Sequence, residues 1–179
     1  MRILRLAATA AAALFTVGGC GDGRAVLGPA DPSLSTQAQS SAARQVQASG
    51  TFAALVDFLT LTLTPRGRNC LLTVTGQLVF SGTIQGAATG QTSALVFAPC
   101  AAVATTPPGT FRDVFKSELS FEGTIGGTPA RANVLYMGGV EPGGDIDGRL
   151  VFSNGAAGKL DVDARVAVGG SYSGSVVVH

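Results

Sequence analysis

The chain of 179 residues is long enough for one ordinary domain and a tail. It contains 25 glycines and 8 prolines, only 13% of its residues are charged, and its formal net charge is +1. Glycine at this level without a collagen-like period is typical of many short strands joined by tight turns. Because the net charge is close to zero and no basic cluster occurs, the sequence offers no electrostatic basis for nucleic-acid binding.

The N-terminal residues predict an export signal. A start with two arginines in residues 1–5 is followed by an apolar run over residues 6–17. This run is too short to cross a bilayer comfortably as a helix, and a charged start before a short apolar run is typical of a secretory signal peptide.

The apolar run ends at residues 17–20, which read Val-Gly-Gly-Cys and resemble a bacterial lipobox. The resemblance implies that Cys20 carries lipid such as palmitate, that residues 1–19 are removed, and that the protein is anchored in the bacterial cell envelope, at the outer membrane. The membrane is then a partner through the lipid alone. The alternative is an ordinary signal peptide in which Cys20 has no such role.

Residues 20–50 are rich in glycine, alanine, serine, glutamine and proline and contain few large apolar side chains. Such a segment cannot bury enough apolar surface to offset the entropy lost on ordering. We therefore predict a disordered tether, which as a flexible coil would span roughly 30 Å. It would join Cys20 to a domain at residues 51–179.

The rest of the chain has the pattern of a β domain. Leucine and threonine alternate strictly over residues 58–64, which predicts a strand with one buried face. Breaks rich in glycine or proline separate further segments of the same kind. The predicted strands are residues 58–64, 72–84, 92–98, 111–125, 130–137, 145–153, 159–168 and 172–178.

Eight strands joined mostly by short turns predict an all-β fold, a single antiparallel up-and-down barrel, which leaves no exposed edge. A two-layer β-sandwich is the alternative. Charged residues alternate with apolar ones along residues 159–168. Their outward position argues against a membrane-spanning barrel, which needs an apolar outer band.

One strand-and-turn motif recurs in this domain. Residues 121–128 read Phe-Glu-Gly-Thr-Ile-Gly-Gly-Thr, and residues 80–86 read Phe-Ser-Gly-Thr-Ile-Gln-Gly. With its long preceding strand and glycine-rich hairpins, the region 52–179 resembles the allene oxide cyclase-like and dirigent-like group. That resemblance implies an eight-stranded, calycin-type barrel with an internal cavity. It implies no cyclase activity, because no catalytic residue of the group matches a position in this chain.

Two cysteines follow Cys20 in the chain, Cys70 and Cys100. In an exported protein such a pair predicts a disulfide. The alternative is a pair of reduced thiols with a catalytic or metal-binding role, although no CxxC spacing or nearby histidine favours it.

The chain offers few residues for catalysis. Its only histidine is His179, the last residue, which argues against Ser-His-Asp catalysis and histidine-based metal sites. Asp145 and Asp147 follow two glycines and weakly resemble a calcium loop, but two outward carboxylates on a strand are the simpler interpretation. Paired carboxylates for glycoside hydrolysis stay open. We assign no catalytic residue, metal or cofactor.

Four polar residues are candidate ligand contacts. Asp113 and Ser117 are in register with the apolar face of their predicted strand, and Tyr136 and Tyr172 are also expected to point inward. In a filled core their polar atoms would be satisfied by internal hydrogen bonds. In a hollow barrel they would contact a ligand.

These observations favour a lipid-anchored, exported envelope protein without enzymatic activity. It would bind a small apolar ligand or a protein partner through its barrel. One alternative is an isomerase or cyclase that uses the barrel interior, and another is a structural or adhesion module of the envelope.

Overall fold

The computed structural model describes residues 43–179, which form a closed barrel of eight antiparallel strands. Each strand pairs with its neighbours in the sequence, and the first pairs with the last. The predicted up-and-down barrel is confirmed, and the sandwich alternative is wrong. The elements are β1 (Arg44–Arg66), β2 (Asn69–Gly82), β3 (Ile84–Val96), α1 (Cys100–Val103), β4 (Asp113–Ile125), β5 (Thr128–Val140), β6 (Asp145–Ser153), β7 (Ala156–Arg165) and β8 (Gly169–Val178).

Alternation along the strands decides which side chains fill the barrel. In β7, Ala156, Leu160, Val162 and Ala164 are buried, and the charged residues between them are exposed. The same period continues in β4, where Asp113 and Ser117 occupy inward positions as predicted. A chain of aromatic rings crosses the interior with centroids 5.8 to 6.0 Å apart, formed by Phe52, Phe80, Phe121 and Phe152.

The two ends of the barrel differ in their connections. At one end, which we call the short-turn end, lie the turns at residues 83, 126–127 and 154–155. At the other, which we call the loop end, lie the connections at residues 67–68, 97–112, 141–144 and 166–168.

The turn between β2 and β3 divides a segment that the sequence pattern predicts as one strand, residues 72–84. The chain reverses at Thr83, directly after Gly82, whose φ is +111°. A Cβ atom on Gly82 would lie 2.6 Å from the Ser49 carbonyl oxygen. The glycine therefore permits a chain reversal here, where the pattern had indicated a bend within one strand.

β1 begins at Arg44, although the domain was predicted to begin at residue 51. Residues 44–53 pair with β8, and Ala48 in this segment is buried. Small residues explain the difference, because a Cβ atom on Gly50 would lie 2.1 Å from a backbone oxygen of β2. The segment packs by close backbone approach and so carries few of the bulky side chains that mark a strand in a sequence. The leader, Cys20 and the rest of residues 1–42 lie outside the described residues.

β1 also departs from its ladder in the middle. Asp57 of β1 pairs with Thr75 of β2, and Thr62 pairs with Thr73. Four residues of β1, 58–61, therefore lie opposite a single residue of β2, Val74. The strand predicted at residues 58–64 lies within β1, but the buried face expected for it is absent at residues 58–61, where Leu59 is 98% exposed. We call residues 58–61 the β1 bulge, an insertion that bends the strand and re-aims its side chains.

Candidate ligand-binding site

A cavity of about 310 Å³ occupies the loop end of the barrel. Its walls are mostly apolar side chains on the inner faces of six strands. Among these wall residues are Phe52 on β1, Leu72 and Val74 on β2, Ala94 and Val96 on β3, Phe115 on β4, Val140 on β5 and Ile146 on β6.

The inward side chains differ in size between the two ends of the barrel. At the short-turn end the interior positions carry large residues that have no exposed surface, such as Ile84 and Ile125. At the loop end several of these positions carry small or short polar residues, such as Ala54, Thr92 and Ala94. Because close-packed interiors leave few voids, the small side chains that line the loop end contribute to the space there.

Asp113 is a buried acid on the cavity wall. It is the first residue of β4, lies between Val96 on β3 and Val140 on β5 in the ladder, and is only 8% exposed. Its Oδ1 atom has no hydrogen-bond partner among the described residues. Because burial penalises the charged form, it raises the pKa of the Asp113 carboxyl to about 6.

Tyr136 supplies a second buried polar atom on the same wall. Its side chain is 5% exposed, and its hydroxyl also lacks a partner within the part of the chain that is described. Burial raises the pKa of this hydroxyl well above its ordinary value, so the hydroxyl stays protonated. The ring is held edge-on against Phe115, with centroids 4.8 Å apart, and against Phe52, at 5.9 Å.

Ser117 lines the cavity beside Tyr136 but already has a partner. Its hydroxyl lies 2.7 Å from that of Thr92 on β3, and either group can donate. In the ladder Ser117 faces Thr92 on one side and Tyr136 on the other. The three residues form a polar row across β3, β4 and β5 within the apolar wall.

Tyr172 does not line the cavity. Its hydroxyl accepts the N–H of Ile84 at 3.0 Å and lies 3.1 Å from the Ser81 carbonyl oxygen, to which it donates. Burial raises the pKa of Tyr172, and the hydrogen bond from Ile84 partly opposes the shift. Three of the four predicted ligand contacts thus meet in one cavity, and Tyr172 fastens β8 to the β2–β3 turn at the other end.

The long connection between β3 and β4 covers part of the cavity. The predicted disulfide between Cys70 and Cys100 is present, with Cα atoms 4.8 Å apart, and it attaches α1 to the start of β2. Beyond α1, residues 106–111 line the cavity. The sequence predicted residues 105–109 only as a loop, since proline and glycine mark a loop without showing what it covers.

The β1 bulge forms another part of the rim. Phe58 and Leu61 line the cavity, whereas Leu59 does not. Thr60 holds the bulge in place. Its hydroxyl donates to the Asp57 carbonyl oxygen at 2.8 Å and accepts the backbone N–H of Thr75 on β2 at 2.9 Å. The alternation of leucine and threonine predicted a regular strand. It therefore did not show which of these residues line the cavity, because the regular ladder is interrupted here.

The cavity has little of what catalysis requires. Of the residues that line it, only Asp113, Tyr136 and Arg165 titrate. Arg165 is exposed and engaged elsewhere, with Asp145 at 3.3 Å and the Gly143 carbonyl oxygen at 2.9 Å. In residues 43–179 no group of three or more histidine, cysteine or acidic side chains is placed to hold a metal ion. The arrangement is suited to binding an apolar molecule that carries a polar group.

Neither a model of a known protein family nor a curated protein matches this chain. The barrel is the fold that the allene oxide cyclase-like and dirigent-like resemblance implies, while membership of that group stays a prediction. In the described part of the chain, no helix has the length and apolar character needed to cross a bilayer.

Proposed function

We propose that this protein binds a small, mostly apolar molecule inside the loop end of its barrel and does not transform it chemically. The observation that carries the proposal is a pair of buried polar atoms in a mostly apolar cavity wall, Asp113 Oδ1 and Tyr136 Oη, which have no hydrogen-bond partner among the described residues. A buried polar atom without a partner costs about 1–3 kcal/mol, and a ligand with one polar group would remove that cost.

The volume limits the size of the ligand. At about 310 Å³, the cavity is at the small end of the range for pockets that bind small molecules. The exposed side chains Leu55 and Phe58 lie on its rim, so the ligand would enter past an apolar edge.

We also propose that the barrel is held at the bacterial outer membrane by lipid on Cys20. Support comes from the signal-like leader and the lipobox-like residues 17–20. Since β1 starts at the short-turn end, the polypeptide from Cys20 joins the barrel opposite the cavity. Labelled palmitate should enter the wild-type protein in cells and not the Cys20→Ser variant. Equal labelling of both would refute lipidation at this residue.

Ligand binding is testable with the neutral fluorescent probe N-phenyl-1-naphthylamine. The protein is the full chain with Cys20→Ser, which lacks the proposed lipid, and its absence of tryptophan keeps background emission low. Ala94→Leu fills the cavity wall, and Ala157→Leu makes the same change at an exposed position on β7. We expect saturable binding that Ala94→Leu weakens at least about tenfold and Ala157→Leu leaves unchanged, because overfilled space excludes the probe. Non-saturable binding, or equal loss in both variants, would refute the proposal.

A further inference from the structure

We propose that the natural ligand is a small apolar amine whose protonated nitrogen pairs with Asp113. This inference rests on the proposed function and names the chemical class of the molecule bound in the same cavity. It starts from the inner wall at the beginning of β4, where the Asp113 carboxyl lies among mostly apolar side chains and its Oδ1 atom has no hydrogen-bond partner among the described residues.

The chemistry of a carboxylate determines what it can bind. An ionised carboxylate only accepts hydrogen bonds, so the missing partner of Asp113 Oδ1 must be a donor. Buried charges in proteins are paired with an opposite charge or coordinate a metal, and no metal-binding group occurs in residues 43–179. An ammonium group supplies both the donor and the opposite charge.

The groups around Asp113 leave its charge unbalanced. Its ladder neighbours, Val96 on β3 and Val140 on β5, are apolar. On its own strand, Lys116 lies outside and pairs with Glu118. The other titratable groups nearby are Tyr136 on the cavity wall, which is neutral, and two exposed arginines that pair with acids. These pairs are Arg112 with Glu141 and Arg165 with Asp145.

The rest of the wall suits a cation with an apolar body. The rings of Phe52, Phe115 and Tyr136 form an edge-to-face group on the cavity wall. Aromatic faces attract cations, most strongly where water is excluded. The Tyr136 hydroxyl, on β5 beside Ser117, is a second polar group on the same wall. A neutral ligand would leave the Asp113 charge uncompensated or require the carboxyl to take up a proton.

Three probes with one apolar chain and different heads separate these alternatives: octylamine, octanol and octanoate. Each is titrated by calorimetry, at pH 7.5, into the full chain with Cys20→Ser. Hydrogen bonds to charged groups contribute more than neutral ones, so we expect octylamine to bind roughly ten- to hundredfold more tightly than octanol. Octanoate should bind most weakly, because its carboxylate would lie beside that of Asp113.

The effect of pH gives a second measurement on the unaltered cavity. Octylamine stays protonated throughout the range, while the Asp113 carboxyl loses its proton near pH 6. Octylamine affinity should therefore rise as pH increases from 5 to 7 and level off above that. A ligand that accepts a hydrogen bond from the protonated acid would show the opposite trend.

Asp113→Asn keeps the side-chain shape and removes the charge, and we expect it to remove the preference for octylamine over octanol. Asp163→Asn makes the same substitution at an exposed position on the outer face of β7 and should keep the preference. If octanol or octanoate binds as tightly as octylamine, or if Asp113→Asn leaves the preference intact, the amine assignment is wrong while the ligand-binding proposal stands. If none of the three probes binds and N-phenyl-1-naphthylamine also fails to bind, the proposed function itself is wrong.

Discussion

Tyr136 and Tyr172 are both buried inside the barrel, but within residues 43–179 only the hydroxyl of Tyr172 has hydrogen-bond partners. Tyr172 bonds to the backbone at the β2–β3 turn, whereas Tyr136 lines the cavity. The same side chain therefore stabilises the fold at one end of the barrel and is available to a ligand at the other. Removing each hydroxyl in turn should separate the two roles.

Tyr172→Phe should destabilise the protein. The substitution leaves the buried N–H of Ile84 without its acceptor, and an unpaired buried donor costs about 1–3 kcal/mol. Urea unfolding followed by circular dichroism would show a lower midpoint with an unchanged slope. Octylamine affinity should stay as in the parent protein, because Tyr172 does not line the cavity. A stability equal to that of the parent would show that the bond contributes nothing.

Tyr136→Phe should have the reverse profile. The lost hydroxyl has no partner among the described residues, so the ligand-free protein should keep its stability or gain up to about 1–2 kcal/mol, as expected when an unpaired polar atom leaves an apolar site. Binding of octylamine should weaken several-fold. Destabilisation as large as that of Tyr172→Phe would mean that the Tyr136 hydroxyl has a partner in the folded protein.

Stability should depend on pH through Asp113. The folded-state pKa of about 6 lies above the ordinary pKa of 3.8 for an aspartate side chain, so between these two pH values the folded protein holds more protons than the unfolded chain. The stabilising contribution of Asp113 is therefore fully present below about pH 4 and is lost as the pH rises through 6. Over this range the free energy of unfolding falls by on the order of 3 kcal/mol.

Asp113→Asn isolates this contribution, because other groups titrate equally in both proteins. The difference in unfolding free energy, variant minus parent, should grow in favour of the variant from pH 4 to pH 6 and stay constant above. A difference that does not change with pH would show that the Asp113 carboxyl titrates alike in the folded and unfolded chains.

Replacing both bridged cysteines, Cys70→Ala with Cys100→Ala, should lower stability by roughly 3–4 kcal/mol, because the bridge spans 30 residues and restricts the unfolded chain. It should also loosen the connection that covers the cavity. Hydrogen exchange of residues 97–112 should speed up more than that of β6 or β7. Uniform acceleration over the whole barrel would show that the bridge acts on global stability alone.

The β1 bulge contains two leucines, Leu59 and Leu61, that allow a test of the cavity rim. Leu61→Ala should weaken N-phenyl-1-naphthylamine binding about fivefold, since it removes apolar contact worth roughly 1 kcal/mol. Leu59→Ala should leave binding unchanged, because Leu59 is 98% exposed and does not line the cavity. Equal effects of the two substitutions would mean that the bulge adopts another conformation in solution.

Alternation was sufficient to predict the number of strands and the inward position of Asp113 and Ser117, because the two-residue period of a strand fixes which face each side chain occupies. It failed where the backbone leaves that period. The β1 bulge carries a regular leucine–threonine alternation, yet its residues leave the ladder. Asp57 accepts hydrogen bonds from the Leu59 N–H and the Thr60 hydroxyl, and Thr60 accepts the N–H of Thr75.

The sequence predicted only part of the cavity. The inward polar residues were identified, but their separation into Asp113, Ser117 and Tyr136 at one end and Tyr172 at the other depends on how eight strands are staggered. That stagger is a property of the closed ring. Single-strand patterns also cannot show that small side chains of different strands, such as Ala54 and Ala94, line one cavity.

Closure between β1 and β8 places Arg44 opposite Val178 at the short-turn end. The first and last strands of the barrel are therefore paired with each other. Because the ring is closed, the chain could begin at any strand without changing which strands are paired. A circular permutant that links residue 179 to residue 44 and opens at the turn of Asn154 and Gly155 would interrupt only the short-turn end. The cavity would keep every connection that encloses it, so the order of strands along the chain can be rewritten without altering the binding site.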